Sequence, residues 1–138
     1  MVSLAMPLLV LALLAADKRD AEKFQGVWLV SGAEYDGMPN ETLKGDSLTI
    51  DGESFTIKAK EGEMKGKLQF VLEKSFTAVD FIHTDGPAKS KTLLAIAEVK
   101  GDDCKICFAP PDAKERPTEM AAKAGSKYIL VKLKREKK

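Results

Sequence analysis

The chain has 138 residues, with 22 Lys+Arg against 21 Asp+Glu, one His, two Cys and one Trp. That length supports a single domain, and a net charge of +1 supplies no global field to draw in nucleic acid or anionic lipid, which argues against a dedicated polyanion binder. Fourteen of the first sixteen residues are apolar and every charged residue lies beyond them, so the remainder reads as a small, highly charged soluble domain with one core.

Residues 1–16 read MVSLAMPLLVLALLAA, with the first charge at Asp17. The uninterrupted apolar run is shorter than the roughly 20 residues a membrane-spanning helix needs. It fits the apolar region of a secretory signal, with Ala15 or Ala16 as the small residue before cleavage. Two features depart from that pattern: the run is not preceded by Lys or Arg, and the third residue before the cut is Leu13 or Leu14. No Cys follows, so a lipoprotein anchor is not indicated. The expectation is a signal peptide over 1–16 and a mature domain over 17–138, periplasmic or secreted, with no integral membrane span. A buried N-terminal helix or an uncleaved anchor is the alternative.

Residues 20–26 have the spacing of a short helical turn closed by Gly26. A strand over 27–35 then ends in Asp36-Gly37, a turn dipeptide. Residues 38–44 form a loop or short helix around Pro39. Strands over 47–50 and 54–60 flank Asp51-Gly52, with Leu48 and Ile50 facing Phe55, Ile57 and Ala59; alternation across Asp-Gly is the strongest local hairpin signal in the chain. Further strands are expected over 65–73 (Leu68, Phe70, Leu72), 78–83 (Val79, Phe81) and 92–100. A loop over 84–91 precedes the last of these. After the Gly101-Asp-Asp103 turn, 104–109 alternates Cys104, Ile106 and Phe108. A Pro-rich link over 110–117 leads to a helical turn over 118–124, with Thr118 as N-cap and Gly125 as its stop. The last strand, 128–134, carries Ile129, Val131 and Leu133 on one face and Lys132 and Lys134 on the solvent side.

Eight short strands with no long helix between them predict an all-β fold, an antiparallel up-and-down meander. A meander of that length leaves two raw edges unless it closes, so an eight-stranded barrel is preferred over a sandwich.

Few residues promise chemistry. Cys104-Lys-Ile-Cys107 has redox spacing but lies in a strand, not at a helix N-terminus. Residues three apart in a strand face opposite sides about 10 Å apart, beyond the reach of a disulfide at about 7 Å. Two free thiols are expected, Cys104 inward and Cys107 on the other face, with a reactive or intermolecular thiol as the alternative in an exported protein, and one His with no second Cys pair does not complete a zinc site. His83, the sole histidine, is read as a surface residue at a strand end, with Asp80 and Asp85 near in sequence only. Asp102/Asp103 and Glu61/Glu63 flank glycine turns as solvated charges. No phosphate loop, H-E-x-x-H or G-x-S-x-G is present. No catalytic residue, metal ligand or cofactor site is therefore assigned.

Gly26-Val27-Trp28 opening the first strand, with Arg135 just past the last, resembles the lipocalin/calycin arrangement, in which a G-x-W Trp closes one barrel end under a C-terminal basic residue. Further stretches extend the likeness: Glu34-Tyr-Asp-Gly37, Leu43-Lys-Gly45, Phe55-Thr-Ile57, Asp80, Thr84-Asp-Gly-Pro87, Lys105-Ile-Cys-Phe-Ala-Pro-Pro111, Arg116-Pro-Thr-Glu119, Gly125-Ser126 and Leu133-Lys-Arg135. Together they resemble a lipocalin-like domain family of unknown function expanded in planctomycete bacteria. The likeness covers about residues 20–136. Met120 stands where that pattern has Phe, Cys104 where it has Leu, and Ala95 and Ala97 are atypical in their strand. The resemblance implies a barrel and export, and supplies neither substrate nor catalytic residue.

Gly26, Trp28 and Arg135 are thus the candidate barrel-closing set, and Val30, Phe55, Ile57, Phe70, Phe81, Ile106 and Phe108 the candidate cavity lining. An eight-stranded barrel is just wide enough either to be filled by side chains or to hold one small ligand. The leading expectation is non-catalytic binding of a small apolar or amphipathic molecule. The alternative is a filled barrel that meets an unknown protein partner through loops 84–91 and 110–117. An enzyme ranks third, because no site converges.

Overall fold

The computed structural model describes residues 22–60, 62–71, 77–85 and 90–136. Nine strands run through them: β1 (Gly26–Tyr35), β2 (Met38–Pro39), β3 (Ser47–Asp51), β4 (Ser54–Ala59), β5 (Gly62–Val71), β6 (Thr77–Asp85), β7 (Thr92–Lys100), β8 (Asp103–Phe108) and β9 (Ile129–Arg135). From β3 to β9 each strand pairs antiparallel with the next, and β1 pairs with both β3 and β9. The sheet therefore closes into an up-and-down barrel of eight strands. Closure removes the raw edges that an open meander would present. β2 is a two-residue ribbon on the far end of β1, tied to it through the Asp36-Gly37 turn. Both turn residues have positive φ, the conformation a tight hairpin needs and one that Asp and Gly tolerate.

Alternation along each strand sends one face inward. Trp28, Val30, Leu48, Ile50, Phe55, Leu68, Val79, Phe81, Cys104, Ile106, Val131 and Leu133 form one buried cluster inside the barrel. The β1–β9 pairing places Trp28 opposite Arg135, with a register shift between Val30 and Gly32. Antiparallel order puts the Gly52 and Gly101 hairpins at one end with Trp28, and the end of β4, the β6–β7 connection and the start of β9 at the other.

A second, smaller cluster lies outside the barrel. Ile96, Cys107 and Leu130 point away from the interior and are covered by Ala122, with Met120 and Tyr128 packed against them. The covering chain is the connection between β8 and β9, residues 109–128. The helical turn expected over 118–124 does not form; the backbone there makes bends without helical pairing. Its few local bonds, such as Ala121 N–H to the Glu119 carbonyl at 3.0 Å, yield to packing of Met120 and Ala122 on the sheet, because tertiary burial outweighs a single turn's propensity. Asp36 holds the far end of this strap, its Oδ1 accepting from the Gly125 and Lys127 N–H groups at 2.6 and 3.1 Å. At the N-terminus, Glu22 and Lys23 are helical. The rest of that expected turn before Glu22, and the signal segment over 1–16, lie outside the described residues.

Candidate functional site

The two ends of the barrel are built differently. At the end where β1 starts, Trp28 is completely buried. Its indole N–H donates to the Phe24 carbonyl at 2.8 Å, so the one polar atom of the ring is satisfied. The Arg135 guanidinium lies over the indole, with Cζ 4.2 Å from the ring centroid, inside the range of a cation–π contact. The same guanidinium donates to the Gln25 carbonyl and, at 2.9 Å, to the Lys23 carbonyl, and its Nε is 3.5 Å from Asp102. Arg135 thereby ties the N-terminal turn, β9 and the Gly101 hairpin into one lid. Gly26 lies beneath it: at φ +115 its added Cβ would stand 3.2 Å from the Arg135 Nη1, so a side chain here would be strained and would crowd the guanidinium.

Next to this lid comes a layer of aromatic rings. Phe55 meets Phe81 at 5.1 Å and Phe81 meets Phe108 at 4.8 Å, both edge-on, the arrangement ring quadrupoles favour. Phe70 packs against Phe24 at 5.8 Å. Space for the Phe55 ring comes from Gly66 on the neighbouring strand. A Cβ on Gly66 would fall 2.0 Å from the Ile82 carbonyl and within 2.8 Å of the Phe55 ring. The missing side chain is what lets an aromatic ring lie against the sheet there.

Towards the opposite end the interior is hollow. A cavity of about 960 Å³ is walled mainly by apolar side chains, among them Val30, Ile57, Leu93, Ile106 and Phe108, with Asn40, Thr42, Asp46 and Ser47 also on its lining and Tyr35, Lys60 and Lys127 at its rim. Of the seven side chains expected to line a cavity, Val30, Ile57, Ile106 and Phe108 do so. Phe55, Phe70 and Phe81 belong instead to the filled part of the interior. Alternation gives a residue's face but not its height along the barrel, which depends on the stagger of strands.

His83 corrects the sequence reading most. It is a buried residue, 3% exposed, and its ring faces inward, lining the cavity and packing edge-on against Phe55 at 5.1 Å. The period-two pattern carried this signal, since Val79, Phe81 and His83 are spaced to share one face. Its backbone is pinned in the β6–β7 hairpin, its N–H donating to Lys91 and its carbonyl accepting from Ser90, both at 2.9 Å. The ring Nδ1 is buried without a hydrogen-bond partner.

Asp80 lies on the outer face, 2.8 Å from the Arg116 guanidinium. Arg116 also donates to the Val79 and Ala95 carbonyls at 3.3 and 2.9 Å, riveting the 109–128 strap across β6 and β7. Asp80 and His83 therefore face opposite sides of the sheet, so no acid–base pair forms between them. Cys104 is in the inner cluster and Cys107 in the outer one, and both are free. Burial pushes the Cys104 thiol up to about 12 and raises that of Cys107, which keeps both protonated and poorly nucleophilic near neutrality. Among the described residues, no three His, Cys, Asp or Glu side chains converge as a metal site would require. No described helix is long and apolar enough to cross a membrane.

Family models, curated proteins and solved structures yield no match to this chain.

Proposed function

We propose that this protein is an exported, non-catalytic, lipocalin-like barrel that holds one small apolar or amphipathic molecule in its open half. The observation that carries this reading is the apolar cavity of about 960 Å³, whose size falls in the range of small-molecule sites. Its wall is mostly apolar, so burial of apolar ligand surface supplies most of the affinity. The protonated character of the two buried thiols and the facing of Asp80 and His83 to opposite sides of the sheet favour binding over catalysis. Export rests on the sequence of residues 1–16. The likeness to the planctomycete lipocalin-like family supports the barrel and the export in this reading.

Native mass spectrometry of the protein purified from its own host tests the reading. The expected spectrum contains a one-to-one adduct, lost on denaturation and extractable into organic solvent. A chain mass beginning near Asp17 is expected in the exported fraction. A spectrum of bare protein, together with failure to take up any apolar probe, contradicts the binding role.

A further inference from the structure

Within that binding reading, we propose that His83 is the polar anchor of the cavity and that the ligand carries one protic head group, a hydroxyl or a carboxyl, on an apolar body. Much of the wall is hydrocarbon, with Val30, Ile57, Leu93, Ile106 and Phe108 lining the same cavity as the imidazole. Of the polar side chains on that wall, Asn40 and Thr42 bond each other and Asp46 has a partner of its own, whereas His83 is an inward ring whose Nδ1 has none. A phenyl or leucyl side chain would fill the same place without a stranded polar atom, because replacing an unpaired buried polar group by an apolar one of similar shape is neutral or stabilising. The imidazole is thus a feature that packing does not need.

Its setting suits recognition. The backbone is fixed by both hydrogen bonds of the β6–β7 hairpin, and one edge of the ring is braced against Phe55 at 5.1 Å. Rotation about Cβ–Cγ exchanges Nδ1 with Cδ2 in one ring plane, so a nitrogen can be brought to meet an arriving head group. A hydroxyl both donates and accepts and therefore suits either imidazole tautomer. Because Asn40 and Thr42 are already bonded to each other, a bond to His83 fixes which end of the ligand goes in first. The head enters towards His83, and the apolar body follows along the aliphatic wall to the rim.

The test uses two probes and two variants of the full mature chain. N-phenyl-1-naphthylamine, read by its fluorescence, reports the cavity, and decan-1-ol, added as competitor, reports the anchor. His83→Leu is expected to weaken decan-1-ol binding about tenfold relative to any change in N-phenyl-1-naphthylamine binding, the size of one hydrogen bond. His83→Gln, which restores a hydrogen-bonding group, is expected to recover part of that loss. Because the chain has a single histidine, its ¹⁵N ring resonances in the unmutated protein are unambiguous, and they should shift on addition of decan-1-ol. Decan-1-ol affinity within twofold of the parent in His83→Leu, relative to the change in N-phenyl-1-naphthylamine affinity, or ring resonances unmoved at saturating decan-1-ol, overturns the anchor and leaves the cavity standing. Failure of the parent to take up N-phenyl-1-naphthylamine overturns both.

Discussion

The two halves of this barrel share their strands and their alternation, yet one is solid and the other hollow. At the Trp28 end, large rings meet edge to edge, a guanidinium caps the indole, and the indole N–H is paired. At the other end most inward positions carry Val, Ile and Leu, and a cavity remains between them. The comparison teaches that an eight-stranded barrel is neither filled nor empty by topology. The size of the inward side chain at each height decides. His83 sits at the boundary, with Phe55 on one side and the cavity on the other.

Breaking the solid half should be costly. Trp28→Ala removes a fully buried ring and is expected to cost about 3–5 kcal/mol, read as a fall in the urea midpoint. Loss of that size is a large share of a small domain's stability, typically about 5–15 kcal/mol. Gly66→Ala disturbs the boundary layer instead: its Cβ meets the Ile82 carbonyl and the Phe55 ring, so overpacking should cost about 1–3 kcal/mol. An unchanged urea midpoint would show that Phe55 can move aside. Arg135→Ala is expected to cost about 0.5–2 kcal/mol through the lost cation–π contact. With Trp28→Ala it should be non-additive, since both changes remove one contact, and additivity within about 0.5 kcal/mol would show that the pair is not coupled.

The smallest effect comes from pH. The Cys104 thiol rises from its usual 9.0 to about 12 on folding, so between those values the native state holds a proton that the unfolded chain has released. Its contribution to stability is complete below pH 9.0 and is lost as pH rises towards about 12. The slope from one such group is at most about 1.4 kcal/mol per pH unit. Urea melts at pH 9 and 10 should show the decline, and Cys104→Val should flatten it.

Much of the filled half was legible in the sequence. Leu48 and Ile50 across Asp51-Gly52 from Phe55 and Ile57 set a hairpin whose register is Leu48 with Ile57 and Ile50 with Phe55. Trp28 and Arg135 stand opposite each other because the first and last strands pair. Less was legible where periodicity ends. The 109–128 strap has no repeating pattern, so nothing local announces that Arg116 reaches Asp80 or that Ala122 covers Cys107. His83 was misread because a polar residue at a strand end usually belongs to the surface, and its inward register counted for less than its chemistry. The boundary between filled and hollow was also beyond the sequence, since it depends on which inward rings lie at one height.

The most direct test of the hollow half is a fluorescence titration with N-phenyl-1-naphthylamine of the parent chain and of Leu93→Trp. Leu93 lines the cavity, and an indole in its place should take up part of that space without touching the Trp28 lid. Saturable binding of one probe per chain is expected in the parent, and weaker binding in Leu93→Trp while the urea midpoint stays near the parent value. An absence of saturable binding in the parent, or equal binding by Leu93→Trp, would contradict the hollow half.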